Sequence, residues 1–226
     1  KIAHLTGVKH VTAVNSATSA LHISCLSLGV GKGDIVWTVP NTFVASANCA
    51  LYCGADVDFV DIDPLTYNMC PLALEKKLSI ASRSGKLPKV LIPVHLCGQS
   101  CDMEEIHKLS LEYGFKIIED ASHAIGAKFK DSKVGKCNFS DITVFSFHPV
   151  KIITTAEGGI AVTNNPTLDN KMRLFRSHGI TGNENDFYLR PSEEVWNYQQ
   201  IDLGFNYRMT DIQAALGLSQ ITRVDE

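Results

Sequence analysis

The sequence predicts an α/β fold, a mostly parallel sheet flanked by helices. Short apolar runs rich in Val, Ile and Thr alternate with stretches of helical length over most of the chain. There is no internal repeat or low-complexity tract to suggest a solenoid or a linker. The 226 residues, 45% of them hydrophobic, are enough for one sizeable core.

The elements follow in order. Ile2 to Leu5 reads as the end of a helix, so the natural protein is expected to begin earlier. Val11 to Val14 reads as a strand and Thr18 to Leu28 as a helix. Asp34 to Val39 is a strand, Phe43 to Tyr52 a helix and Val57 to Asp61 a strand. Pro71 to Leu78 is a helix with proline in its first turn, where the missing N–H costs nothing. Val90 to Val94 is a strand, Met103 to Tyr113 a helix and Lys116 to Ile118 a strand. The β-branched and aromatic run Thr143 to Phe147 is a buried strand, and Gly158-Gly159 turns the chain into another, Ile160 to Thr163. Ile180 to Tyr198 has no clear period and reads as a long loop. Arg208 to Gln220 is helical, with Thr210 or Asp211 as N-cap. The sequence then ends at Glu226 in mid-element, so a further domain is expected downstream.

Composition narrows the function. Net charge is −3 without a basic block, which speaks against nucleic acid and anionic membranes as partners. No apolar run approaches the ~20 residues of a membrane span, and no signal peptide is visible. Seven cysteines, at 25, 49, 53, 70, 97, 101 and 137, form no Cys-x-x-Cys pair and no zinc-ligand set. A reduced, cytoplasmic protein without a metal is expected. The one glycine cluster, Gly29-Val-Gly31-Lys-Gly33, follows a helix and precedes a strand, the reverse of a dinucleotide-binding turn, and it also fails the P-loop pattern.

In open parallel sheets ligands bind outside the carboxyl ends of the strands, and three such ends carry reactive residues. At Val14-Asn-Ser-Ala17-Thr18 a strand runs through small residues into a helix, whose free N–H groups attract an anion; an ordinary Ser/Thr cap explains the same residues. At Glu119-Asp120-Ala-Ser-His123 an acidic pair follows an apolar strand. Asp120 is placed to hold a cationic ring nitrogen, or simply to cap a loop, and His123 to orient a ring. The third end is Ser146-Phe-His-Pro-Val-Lys151. Ser146 can donate to a phosphate. A lysine held between buried strands can lose water and attack a carbonyl as the neutral amine, although most lysines at strand ends are simply solvated. Phe43 follows another strand end and serves either the core or a flat heterocycle. An anion site, an aromatic platform, a carboxylate and a lysine together fit pyridoxal 5′-phosphate (PLP).

Five segments in order also resemble one family: Asn15-Ser-Ala-Thr-Ser-Ala-Leu21, Pro93-Val-His-Leu-Cys-Gly98, Glu119-Asp-Ala-Ser-His-Ala124, Phe145-Ser-Phe-His-Pro-Val-Lys151 and Gly204-Phe-Asn-Tyr-Arg-Met-Thr-Asp211. They look like the signatures of the DegT/StrS-type PLP-dependent sugar-nucleotide aminotransferases, of fold type I. That resemblance implies that residues 1–226 are the large PLP-binding domain, without its N-terminal segment and small C-terminal domain. It implies Lys151 as Schiff-base and proton-transfer residue, Asp120 on the pyridine nitrogen and Phe43 and His123 flanking the ring. Ala17, Thr18 and Ser146 would bind the phosphate. Asn206 would reach the phosphate of a neighbouring subunit, making an obligate homodimer with shared active sites; Arg208 is a second candidate at that interface. Sugar dehydratases of the same family carry histidine at the lysine position, so Lys151 favours transamination. Phe145 to Gly159 and Phe175 to Gly179 most resemble the branch serving pseudaminic acid biosynthesis. That branch aminates C4 of a UDP-linked 4-keto-6-deoxy-N-acetyl hexose with glutamate as donor. Departures stand at Ile152, where Pro or Asn is more usual, and at Ala156, where Gly is also common. A dTDP- or GDP-linked keto sugar, aminated at C3 or C4, or a non-catalytic regulatory role are the alternatives.

Overall fold

The computed structural model describes residues 1–188 and 196–225. Seven strands form one sheet: β1 (His10–Val14), β2 (Ile35–Thr38), β3 (Asp56–Phe59), β4 (Val90–Leu91), β5 (Lys116–Asp120), β6 (Ile142–Ser146) and β7 (Gly159–Thr163). Their spatial order is β1-β7-β6-β5-β4-β2-β3. The β3-β2-β4-β5-β6 ladder is parallel throughout, whereas β7 runs antiparallel to both its neighbours, β6 and β1. One reversed strand thus sits inside a sheet that the sequence predicts as mostly parallel.

The strands read as continuous apolar runs because both faces of the sheet are covered. Alternate residues go to opposite sides: Val36, Ile118 and Val144 to one cluster, Trp37, Leu91 and Ile117 to a second, Phe145 and Ile160 to a third. Helices α2 (Ala17–Ser27), α3 (Ala45–Tyr52) and α6 (Pro166–Arg176) cover the first face. On the other lie α4 (Pro71–Ser84) and α5 (Met103–Tyr113), while the short α1 (Ile2–Thr6) and the 221–224 segment after α7 (Asp211–Gln220) close the third cluster.

Several boundaries differ from the sequence reading, each for a local reason. The α3 helix starts at Ala45, so Phe43 lies in the turn before it. Helix α4 continues to Ser84 and ends on Gly85 with φ 67°. Strand β4 stops at Leu91, although Val94 still bridges to Asp120. Strand β5 extends to Asp120, so the acidic pair closes the strand and does not follow it. Helix α6 has no counterpart in the sequence reading, yet Asn165 caps it by accepting from Thr167 and Leu168 N–H, with Pro166 in the first turn. A hairpin of Lys128–Phe129 with Ser132–Lys133 is likewise additional. Within the expected 180–198 loop, Ile180–Thr181 pairs with Gln199–Gln200; residues 189–195 lie outside the described residues. Thr210 is the N-cap of α7, completing a capping box with Gln213.

Candidate active site

A cavity of about 390 Å³ opens at the carboxyl ends of the parallel strands. Ala17 and Thr18 enter from the turn after β1, Phe43 from beyond β2, Asp120 and His123 from the end of β5. Ser146 ends β6, and Lys151 comes from the loop joining β6 to β7. Seven of the eight predicted site residues therefore line one cavity. Asn206 is not among the lining residues; its backbone bridges to Ser177.

The first turn of α2 forms one end. Ser16 is the N-cap, accepting from Ser19 N–H at 3.1 Å, so Thr18 is not the capping residue. The Ala17 and Thr18 N–H groups remain open at the cavity wall, where a helix N-terminus carries partial positive charge. Gly159 makes this placement possible. A Cβ there would stand 2.4 Å from Ala17 N, so the helix start can approach β7 only because the side chain is absent. Opposite, Ser146 Oγ accepts from His148 N–H at 3.4 Å, leaving its own proton free to donate outward.

Asp120 is 5% exposed and held on both oxygens. Oδ1 accepts from Ser122 N–H at 3.1 Å and from Ser122 Oγ at 2.6 Å, while Oδ2 accepts from Ser46 Oγ at 2.7 Å. Thr42 Oγ1 in turn lies 2.8 Å from Ser46 Oγ. Ser46 escaped the sequence reading because it lies 74 residues from its partner. The Asp-x-Ser spacing behind the Ser122 contact was a visible signal.

Glu119, the neighbouring residue on β5, faces the other way. It accepts from His95 Nε2 at 2.7 Å, from Thr143 Oγ1 at 3.0 Å and from Ser140 Oγ. Burial pushes this carboxyl up, but donation by His95 and the two hydroxyls outweighs it, leaving Glu119 below the usual glutamate range. His95 Nδ1 accepts the Cys101 N–H at 3.1 Å, so Nε2 carries the ring proton that Glu119 receives.

That buried pair anchors the turn that positions His123. Cys97 N–H donates to His123 Nδ1 at 3.3 Å, which places the His123 proton on Nε2. Burial first, and then the Lys151 ammonium, push the His123 ring below its ordinary range, with Asp120 pulling the other way. Phe43 is 73% exposed, so its ring belongs to the cavity rim and not to the core.

The Lys151 loop is fixed at its ends. Phe147 N–H donates to Gly158 O at 2.9 Å, Thr155 N–H to Phe147 O at 2.9 Å, and Ile153 is buried in the third cluster. Lys151 is partly buried, while Val150 and Ile152 beside it are exposed. Ala156 takes a left-handed conformation, φ 64°.

The reversed strand in the sheet, with a lysine loop and a paired aspartate at one cavity, defines a fold type I aminotransferase architecture. The chain belongs to the DegT/DnrJ/EryC1/StrS aminotransferase family, whose sequence profile matches residues 1–226. It is 43% identical over 219 residues to UDP-4-amino-4,6-dideoxy-N-acetyl-beta-L-altrosamine transaminase of Campylobacter jejuni, covering 97% of this chain and 54% of that protein. It is 42% identical over 220 residues to GDP-perosamine synthase of Caulobacter vibrioides, with the same coverages. Among solved structures, Helicobacter pylori PseC, an aminotransferase involved in the biosynthesis of pseudoaminic acid, superposes with a TM-score of 0.86 at 36% identity. That match covers 99% of this chain and 56% of PseC. The chain thus spans about half the length of the curated relatives it matches.

Proposed function

We propose that this chain is the large, cofactor-binding domain of a PLP-dependent sugar-nucleotide aminotransferase. The observation that carries the reading is the convergence of Lys151, Asp120, Phe43, His123, Ala17, Thr18 and Ser146 on one cavity. The donor set fits the cofactor: two open N–H groups and two hydroxyls for a phosphate, a hydrogen-bonded carboxylate for a ring nitrogen and an amine for an aldehyde. Bound there, PLP supplies that aldehyde and a protonated ring that stabilises carbanionic charge.

The protein's own residues do the rest. The Asp120 carboxylate, oriented by Ser46 and Ser122, presents negative charge where the ring nitrogen must keep its proton. Phe43, at the rim, and His123 would flank the flat ring of the cofactor. Lys151 Nζ, carried on a loop with anchored ends, would hold the cofactor's aldehyde and serve as the proton-transfer group. Asn206, outside the cavity of its own chain, serves the phosphate of a second subunit, with Arg208 at the same interface. The exposed Phe43, Val44, Val150 and Ile152 supply an apolar rim for such a homodimer. Retention of both Lys151 and Asp120 in the cavity favours catalysis over a regulatory role.

For the substrate, the names of the Campylobacter and Helicobacter relatives support amination at C4 of a UDP-linked 4-keto-6-deoxy-N-acetyl hexose; glutamate as donor and a cytoplasmic location complete the proposal. The Caulobacter relative, at 42% identity, supports a GDP-linked sugar as the second reading. Borohydride reduction of the PLP-loaded protein and peptide mapping test the centre of the proposal. A pyridoxyl group on Lys151 is the expected result, and one on any other lysine overturns it. Glutamate with UDP-, GDP- and dTDP-linked keto sugars, given to the full-length protein, then decides the substrate.

A further inference from the structure

His22 is buried on α2, one helical turn beyond Thr18, and takes no part in the cavity. Its ring packs against three others, with centroid distances of 4.8 Å to Phe205, 5.4 Å to Tyr52 and 5.9 Å to Tyr207. Nδ1 shares a hydrogen bond of 3.1 Å with the Tyr207 hydroxyl. The Phe205 and Tyr207 rings stack on each other, 4.9 Å apart and 13° from parallel.

Phe205 and Tyr207 flank Asn206, and their main chains are tied as firmly as their rings. Phe205 N–H donates to Phe175 O at 2.7 Å and Tyr207 N–H to Arg176 O at 3.0 Å. Phe205 O accepts from His178 N–H at 2.9 Å, and Tyr207 O from Asn15 N–H at 2.8 Å. Along an extended segment, alternate side chains face opposite ways. With 205 and 207 turned in upon α2, Asn206 must turn out. It is exposed, as is Arg208, whereas Phe205 and Tyr207 are partly buried. The two anchored neighbours leave Asn206 only its own side-chain torsions, so little ordering entropy remains to be lost when it meets a ligand.

We propose that His22 is a positioning residue that acts across the dimer: through Phe205 and Tyr207 it holds Asn206 towards the cofactor phosphate of the neighbouring subunit, an assignment that rests on the reading of Asn206 given above. Helix α2 keeps its own anchorage through Ala20, Leu21, Ile23 and Cys25 in the core. Damage at His22 is therefore felt in the partner's site and not in the site that contains its own Lys151.

The test uses the full-length dimer. Tyr207→Phe removes the hydroxyl, and His22→Phe keeps a ring without its nitrogens. Titrating the cofactor-free dimer with PLP should show affinity about twofold to tenfold weaker in either variant, the range of one lost hydrogen bond. Affinity for pyridoxal, which lacks the phosphate, should not change. A tag-selected heterodimer of one His22→Phe and one Lys151→Ala chain then shows whose site is harmed. Visible absorbance of PLP joined to Lys151 reports only the first chain's site, which receives Asn206 from the second, and that site should bind PLP with wild-type affinity. Should His22→Phe not fold, Tyr207→Phe, which loses a single oxygen, carries both measurements. Unchanged PLP affinity, an equal loss for pyridoxal, or a heterodimer as weak as the His22→Phe homodimer overturns the proposal. Asn206→Ala separates the two levels. If it weakens PLP while the His22 and Tyr207 variants do not, the role of His22 alone falls; if it leaves PLP affinity unchanged, the reading of Asn206 falls and takes this assignment with it.

Discussion

Replacing Asp120 with asparagine isolates its charge from its shape. Three donors converge on this carboxylate, two from Ser122 on Oδ1 and one from Ser46 on Oδ2. The Ser122 N–H cannot reverse, so the asparagine carbonyl oxygen must take the Oδ1 position and its NH2 must face Ser46. Ser46 can accept there by turning its own proton to Thr42 Oγ1, 2.8 Å away. Every polar group keeps a partner, and the cost to stability is expected to stay within about 1 kcal/mol. What is lost is a charge-assisted hydrogen bond to a protonated ring, worth about 1.5–3 kcal/mol, or roughly a tenfold to hundredfold fall in turnover. Denaturant titration checks the first figure, and steady-state amination in the full-length, PLP-loaded protein the second. Unchanged turnover with a native fold would refute the role given to Asp120. A protein that fails to fold would refute the exchange at Ser46.

Glu119→Ala strands the His95, Ser140 and Thr143 donors in a dry site and should cost at least about 3 kcal/mol in a denaturation curve. Because the folded carboxyl lies below its usual range, its stabilising effect is full above the unfolded value of ~4.3 and fades as pH falls through the folded one. The stability gap between wild type and Glu119→Gln should therefore narrow below about pH 4, and a gap constant with pH argues against the depressed carboxyl. Ala156→Gly relieves a left-handed residue and should raise stability by about 0.5–1 kcal/mol, net of the extra freedom glycine has when unfolded. Mixing Lys151→Ala with Asn206→Ala chains should restore activity, since heterodimers contain one intact site. With subunit exchange verified and Asn206→Ala impaired alone, no recovery would place the site within one chain.

Much of this was legible because the strand ends are. Where apolar runs meet small or acidic residues, as at Val14-Asn15 and Ile118-Glu119, period and composition locate both the element and its reactive end. Helix α6 was harder to read. Its apolar face is just Leu168, Met172 and Phe175 among charged residues, and its signal lies in the cap at Asn165. The direction of β7 is invisible locally, since a strand reads the same both ways and only the ladder with β6 and β1 fixes it. Contacts such as Ser46 with Asp120 escape for the same reason: they join residues far apart in sequence by their place in the fold.

The position of β1 governs the order in which this chain can be finished. Among the described residues it is an edge strand with a single neighbour, β7, and His10 pairs with Thr163. The first strand of this sheet in chain order must therefore wait for the last of the seven before it has anything to pair with. Contacts of such separation are slow to form, because the intervening chain must first be brought to order. The anion-binding turn at Ala17 and Thr18, resting on Gly159, waits with it. Its residues are made well before Gly159, yet the cradle is complete only when synthesis has passed the lysine loop.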